Sequence, residues 1–261
     1  MVRIAIFYNP KTNPQNKQFA QEISVILNES SIKPLVNPLP KDYSKVDIAF
    51  AVGGDGTVLH TANLIAGNHI PLLGINYGHR GYLCGANKDE LYDIVDRILA
   101  KEYSIEEKTR IQAKIVKQKK TVRTLEALNE ISIGGINRTV HLGADIKTAD
   151  FSLRTEIQGD GIIVATRTGS TAYNINAGGS MLLIEALSVV ANNAFFISDD
   201  LLPVTHSIVI PSDAQIDVRD ISRKQANLPF IIADGQESVK ISDSDIIKIR
   251  KARNTSLFIK F

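Results

Sequence analysis

The sequence predicts two architectures in one chain: a doubly wound α/β domain over residues 1–105 and a β-rich domain, a sandwich or meander, over residues 106–261. Three observations carry that reading. In the first part, short near-continuous apolar runs alternate with amphipathic stretches, the pattern of parallel strands buried on both faces with helices between them. The hydrophobic period then changes to two and stays there for most of the remaining chain. No Pro/Gly/Ser-rich linker marks the change near Glu106, so the two domains are expected to pack rigidly.

Taken in order, VRIAIFY is the first strand. Its single basic residue and short apolar run, ending at Asn9-Pro10, do not make a signal peptide. Residues 15–28 follow as a helix candidate. VDIAFAV is the next buried strand; it runs into Gly53-Gly54-Asp55-Gly56-Thr57, and a helix is expected over 57–67. IPLLGIN is a third apolar strand. NKDELYDIVDRILAKEY is the clearest helix, with Asn87 and Glu90 at capping-box spacing. Leu91, Ile94, Val95, Ile98 and Leu99 form its apolar face. Beyond Glu106 the strands are RIQAKIVK, the alternating stretch from Thr139 to Ile157, GIIVATRT, HSIVIP, AQIDVRDI, LPFIIA, DIIKIRKA and SLFIKF. Turn residues such as Gly134-Gly135 and Asp234-Gly235 separate them, and only residues 171–193 read as helical in this half.

Composition narrows the classes. The chain has 261 residues, 44% hydrophobic and 22% charged, enough for a large core in a soluble enzyme-sized protein. A net charge of +2 carries no nucleic-acid signature. No apolar run approaches the ~20 residues of a membrane span. Cys84 is the one cysteine, which excludes an intrachain disulfide and a cysteine zinc site and leaves it as a small buried filler. His60, His69, His79, His141 and His206 show no metal spacing, so no metal ligand is assigned. The basic run Lys117, Lys119, Lys120 and Arg123 reads as a solvated hairpin tip. The balance is that of a cytoplasmic protein.

The polar residues gather at four places. A glycine turn entering a helix cradles phosphate with backbone N–H groups, yet the turn 53–57 carries a carboxylate, which phosphate repels. Asp55 therefore caps the helix, holds a metal, or acts chemically on a group beside the phosphate. The spacing fits neither a Walker nor a Rossmann motif. The second place, QGDGIIVATRTGSTAYNINAGG, sets Asp160 between glycines, then a strand, then the hydroxyls of Thr166, Thr168, Ser170 and Thr171, and Tyr173. That density of hydroxyls exceeds what one helix cap needs and suits an anion or a sugar. Asn129-Glu130 reads as a solvated strand pair and Asp234-Gly235-Gln236 as a hairpin turn when each is taken alone.

Together, GGDGT, NE, GDGxxxATxTGSTAY and DGQ, in that order, resemble the NAD kinase family, as does INYGHRGYL over residues 75–83. TGSTAY is the specific part, since lipid kinases and phosphofructokinases share GGDG. The resemblance implies an N-terminal α/β domain and a C-terminal β-sandwich whose chain end returns toward the first domain. It implies transfer of a phosphoryl group from ATP, or polyphosphate, with Mg2+, to the 2′-hydroxyl of the adenosine ribose of NAD, giving NADP. It also implies a homodimer or homotetramer with sites built across subunits.

By the same match Asp55 is the catalytic residue at the ribose hydroxyl, and Gly53, Gly54, Gly56 and Thr57 hold the donor's phosphates. Asn129 and Glu130 bind ribose or the adenine edge, and Asp160, from the neighbouring subunit or the same one, meets the nicotinamide end. Thr168, Thr171, Ala172 and Tyr173 line the adenine pocket. Gly169, Ser170, Asn176, Asp234, Gly235 and Gln236 complete the nucleotide-binding set. Arg167 stands where the family usually has proline and offers a guanidinium to phosphate. Asn176 replaces a common serine, Ser180 a proline and Gln158 a basic residue, and residues 181–207 lack the family's usual His-Pro, Pro-His and Arg-Pro pairs. Two alternatives stand beside the kinase: a non-catalytic NAD(P)-binding sensor, and a GGDG-type kinase with another acceptor.

Overall fold

The computed structural model describes residues 2–10, 14–76, 81–135, 139–195, 204, 206–222 and 229–261. Residues 77–80 of INYGHRGYL, His79 among them, and residues 196–203 and 205 of the divergent segment lie outside the described residues. The chain divides into two compact units, Met1–Lys108 with Asn254–Phe261, and Thr109–Arg253.

The first unit begins β1 (Ile4–Tyr8), α1 (Gln15–Glu29), β2 (Leu35–Val36), β3 (Ile48–Val52), α2 (Asp55–Leu64) and β4 (Leu72–Asn76). It continues β5 (Ala86–Asn87), α3 (Leu91–Ala100) and β6 (Ser104–Lys108). The second unit runs β7 (Ile111–Lys117), β8 (Lys120–Ala127), β9 (Glu130–Gly134), β10 (Val140–Lys147), β11 (Ser152–Gly159), β12 (Gly161–Ala165) and the one-turn α4 (Tyr173–Asn176). Then come β13 (Ala186–Asn192), β14 (Ser207–Pro211), β15 (Gln215–Asp220), β16 (Phe230–Ala233), β17 (Glu237–Lys240) and β18 (Ile246–Lys251). The last strand, β19 (Ser256–Lys260), belongs to the first unit.

The first unit's seven-stranded sheet has the order β2-β1-β3-β4-β19-β6, with β5 also on β4. Strands β2, β1, β3 and β4 are parallel. Ile4, Ile6, Ile48, Phe50, Val52, Leu73 and Ile75 share a core with the apolar faces of α1 and α3. Side chains alternate across a sheet, so Ala5, Ala49, Ala51 and Gly74 face the other way. These small residues let α2 lie close: a Cβ on Gly74 would sit 2.8 Å from Val58 Cγ2. Helices thus cover both faces, and the buried strands explain the unbroken apolar runs. The Asn87 N–H donates to Glu90 Oε2 at 2.8 Å, at the start expected for the third helix.

The second unit stacks two six-stranded sheets, β11-β10-β15-β18-β7-β8 and β14-β13-β12-β9-β16-β17. Among the described residues, all strand pairings in both are antiparallel. Their inner faces contribute one continuous core that includes Ile115, Leu125, Ile133, Leu142, Val189 and Ile247. The basic run sits at the exposed β7–β8 hairpin tip, where Gln118 and Lys119 take φ of 47° and 64°. Among the described residues no helix is long and apolar enough to cross a membrane.

One expectation fails. Residues 171–193 do not form a helix. Helix α4 ends at Asn176, Gly178 turns the chain at φ 83°, and Ala186–Asn192 is strand β13 between β12 and β14. The apolar run ALSVVA is buried on both faces, and Val189 and Val190 suit such a strand.

Candidate active site

Strand β3 delivers the glycine turn to the carboxyl edge of the parallel sheet, where open α/β folds bind ligands. Gly53 takes φ 142°, and its N–H donates to the Ile75 carbonyl at 3.0 Å. A Cβ there would meet Thr57 Oγ1 at 2.6 Å, so the chain itself requires that glycine. Gly54 and Gly56 are different. Nothing lies within 4 Å of where their Cβ atoms would be, and neither has a positive φ. Gly56 sits inside α2, where glycine costs about 0.5–1 kcal/mol relative to alanine. The chain bears that cost without any packing in return. Small size at an open helix N-terminus instead admits close approach by an anion.

Asp55 heads α2 but does not cap it. Its Oδ2 accepts the Tyr82 N–H at 2.8 Å and its Oδ1 the Leu83 N–H at 3.0 Å. Cys84 Sγ lies 3.6 Å from Oδ1 and 3.6 Å from the Gly53 carbonyl oxygen. A Cβ on Gly81 would fall 2.2 Å from Asp55 Oδ1, so that glycine makes room for the carboxylate. An ionised carboxylate has about four acceptor sites. Two amides leave Asp55 anchored in direction and still able to accept a hydroxyl proton. Gly81–Leu83 close the INYGHRGYL stretch noted in the sequence, but that they anchor Asp55 was not read from their residue types.

In the second unit, Asp234 does more than turn a hairpin. With Gly235 it takes positive φ (52° and 66°), and its carboxylate is buried. It accepts three backbone N–H groups: Leu128 at 2.9 Å, Asn129 at 2.7 Å and Glu130 at 3.1 Å. Thr166 clamps the same bend, its hydroxyl donating to the Leu128 carbonyl at 2.6 Å and its N–H to the Asn129 carbonyl at 2.8 Å. Gly169 lies so close that a Cβ would stand 2.1 Å from the Asn129 carbonyl oxygen. The bend therefore presents two side chains. Asn129 Oδ1 and Glu130 Oε2 are buried and have no hydrogen-bond partner among the described residues. Glu130 is not the solvated strand residue its neighbours suggest.

Burial, and then the Asp234 charge, push the Glu130 carboxyl up to about 7. Arg110, within electrostatic reach of Asp234, is almost wholly buried, with its Nε 3.7 Å from Glu126 Oε2. Burial lowers the Arg110 guanidinium, while the charges of Asp234 and Glu126 act in the opposite direction.

The hydroxyl-rich turn sorts into two kinds of group. Ser170 is fully buried; its hydroxyl donates to the Arg167 carbonyl at 2.8 Å and accepts the Leu182 N–H at 3.0 Å. It is engaged inside the loop. Asn174 holds the same loop through the Ser170 and Ser180 carbonyls, at 2.9 and 3.0 Å. Thr168, Thr171 and Ala172 are half-buried, Tyr173 and Asn176 are exposed, and Arg167 pairs with Glu185 at 3.4 Å. The Gln236 N–H closes the hairpin onto the Ala233 carbonyl at 2.9 Å.

Asp160 and Tyr173 line one cavity of about 330 Å3, with Ser132, Gly134, Gly161 and Asn192 among its other walls. Asn192 Nδ2 donates to the Tyr173 hydroxyl at 3.0 Å, and Asn193 Nδ2 to Asp160 Oδ2 at 2.6 Å. Sequence reasoning missed both asparagines because it placed them in a helix.

Two family descriptions match this chain, the ATP-NAD kinase N-terminal domain over residues 4–103 and the ATP-NAD kinase C-terminal domain over residues 128–261. The chain belongs to the NAD kinase family. An NAD kinase of Caldanaerobacter subterraneus subsp. tengcongensis is 36% identical over 223 residues, covering 84% of this chain and 75% of the relative. A bifunctional NADP phosphatase/NAD kinase of Methanocaldococcus jannaschii is 32% identical over 84% of this chain, which spans 37% of that longer protein. In structure, an Archaeoglobus fulgidus NAD kinase in complex with ATP superposes with a TM-score of 0.77 at 24% identity, covering 99% of this chain and 94% of its own. Yeast NADH kinase complexed with NADH gives 0.81 at 19% identity, covering 100% and 84%. These structures share the fold, an α/β part followed by stacked β-sheets.

Among the described residues, no three His, Cys, Asp or Glu side chains converge on a possible metal position. Mg2+ bound mainly through a substrate's phosphates needs no such cage.

The raised Glu130 carboxyl makes stability depend on pH. Its folded value of about 7 lies above the ordinary 4.5, so the folded state holds a proton that the unfolded state has released between those values. Stability therefore falls as pH rises through that window and is lowest above about 7, by a total on the order of 3 kcal/mol. Glu130→Gln removes the titration. Urea unfolding at pH 5 and pH 8 is expected to show the variant gaining on wild type as pH rises; parallel pH profiles would refute it.

Proposed function

We propose that this protein transfers a phosphoryl group from ATP, or from polyphosphate, to the 2′-hydroxyl of the adenosine ribose of NAD and releases NADP. The observation that carries the reading is the Asp55 arrangement: a carboxylate held by two amides beside glycines that leave open space. Phosphoryl transfer is largely a matter of alignment and charge stabilisation. Asp55 orients the ribose hydroxyl and accepts its proton late, a contribution of about 10²–10⁴ in rate. Gly53, Gly54, Gly56 and Thr57 shape the phosphate approach. Mg2+, bound to the donor, neutralises phosphate charge and so offsets repulsion by Asp55.

In the second unit, the buried acceptors of Asn129 and Glu130 suit ribose hydroxyls or the adenine amino group. Asp234 holds both in place. Thr168, Thr171, Ala172 and Tyr173 line the base pocket, with Asp160 toward the nicotinamide end. Gly169 and Ser170 keep that turn in shape, and Arg167 and Asn176 stand at its exposed rim. We place the protein in the cytoplasm, as a homodimer or homotetramer. The test is incubation with NAD, Mg2+ and ATP or polyphosphate, with NADP detected by an NADP-specific dehydrogenase. No NADP with either donor, while NAD still raises the melting temperature, would sink the kinase and leave a dinucleotide sensor.

Gly56→Ala separates function from folding. An alanine inside α2 meets no atom within 4 Å, so the variant should gain about 0.5–1 kcal/mol in stability. The same methyl intrudes where phosphate approaches, and KM for the donor should rise. A more stable variant with unchanged donor kinetics would show that the glycine serves neither purpose.

A further inference from the structure

The first unit holds another cavity, of about 490 Å3, that no motif above accounts for. One wall is a single face of α2: Thr57, His60, Thr61 and Leu64 stand at i, i+3, i+4 and i+7. Leu64 is 45% exposed in that wall. Flat surfaces come from the end of β1 and the segment after β2, with Tyr8, Pro38, Pro40 and Tyr43 among them. The Tyr43 ring stands edge-on to Phe7, centroids 5.9 Å apart at 72°.

The rim is built rather than incidental. Asn37 sits at φ 43°, with its N–H on the Ile6 carbonyl at 2.8 Å. Its Oδ1 accepts the Tyr8 N–H at 3.0 Å and its Nδ2 donates to the Tyr8 carbonyl at 3.2 Å. These three bonds tie the segment to the end of β1 and preform the opening.

The size lies within the roughly 300–1,000 Å3 of small-molecule pockets. Ring and proline faces with hydroxyl and imidazole groups between them suit a planar heteroaromatic base, which stacks on its faces and hydrogen-bonds at its edge. Thr57 belongs both to this cavity and to the glycine turn, and from there to Leu64 the wall extends about 10 Å along the helix. We propose that this cavity holds the adenine of the nucleoside triphosphate donor, with its phosphates leading to the turn at 53–57. The proposal rests on the kinase reading and adds where the donor's base is bound.

Photolabelling tests the position without turnover. Irradiation of the wild-type protein with 2-azido-ATP, followed by peptide mapping, should place the label within residues 37–43 or 57–64, and unlabelled ATP should displace it. Label confined to residues 129–173, or displaced by NAD and not by ATP, overturns the proposal. Leu64→Trp fills the cavity from a half-exposed position. It should raise KM for ATP at least about tenfold while kcat and KM for NAD stay within about twofold, the signature of lost uniform donor binding. An unchanged KM for ATP overturns it. Should that variant misfold, Asn37→Gly reads the same parameter, since it keeps the left-handed backbone and releases the two side-chain bonds. A wild-type protein that forms no NADP from NAD with either ATP or polyphosphate would refute the kinase reading alone; label at 37–43 or 57–64 would still establish the purine site.

Discussion

Asp55→Asn is expected to lower kcat for NADP formation by at least about 10² while KM for NAD changes little. The amide cannot accept the hydroxyl proton. It also turns one N–H group of its own toward the backbone donors that now hold the carboxylate, Tyr82 and Leu83. Two effects therefore combine: loss of the proton acceptor and loosening of the segment Gly81–Cys84. Steady-state kinetics with saturating donor, alongside calorimetric NAD binding, separate them. Turnover near wild type would remove Asp55 from the chemistry. A proportionate loss of NAD affinity would instead make it a positioning residue.

Asp234→Ala is the second large effect, and it falls on stability. The carboxylate serves three buried N–H groups and lies within electrostatic reach of buried Arg110. Truncation leaves those donors without their acceptor and the guanidinium with less compensating charge, a loss on the order of 3–5 kcal/mol. Asp234→Asn should cost less, because one oxygen can still take the Asn129 and Glu130 amides that Oδ1 accepts now. Both variants remove the like charge that helps raise the Glu130 carboxyl, so its titration should move down toward the ordinary range. Urea midpoints for the three proteins give the order; an alanine variant within about 1 kcal/mol of wild type would mean the bend is held by other contacts.

Much of the fold was legible because local chemistry and tertiary role agree. Buried parallel strands read as unbroken apolar runs, and alternation marked the β-rich unit. Asp55 stood out as a candidate for the opposite reason: a carboxylate in a phosphate-type turn conflicts with local expectation, and such conflicts gather at functional sites. What could not be read were contacts between distant residues. The bonds from Asp234 to Leu128, Asn129 and Glu130 span 104 to 106 positions, and a DGQ turn looks the same with or without them. The misread helix shows the other limit. SMLLIEALSVVANN is rich in helix formers, but pairing with β12 and β14 on either side and burial of both faces outweighed that preference. Asn192 and Asn193 were hidden by the same error.

The placement of β19 has a consequence for how the chain comes into being. Residues 256–260 pair with β6, which ends at Lys108, and β19 also fills the place beside β4. All of the second unit is translated between those strands. At about 5–20 residues per second, the first unit waits roughly 7–30 s after β6 emerges before its sheet can be completed. During that interval β4 and β6 carry unpaired backbone edges, which are templates for misplaced pairing. The second unit waits as well: β7 gains its partner β18, Ile246–Lys251, only near the end of synthesis. Both units are therefore completed by strands from the last stretch of the chain, and the unit that carries the glycine turn, which needs β19, closes last.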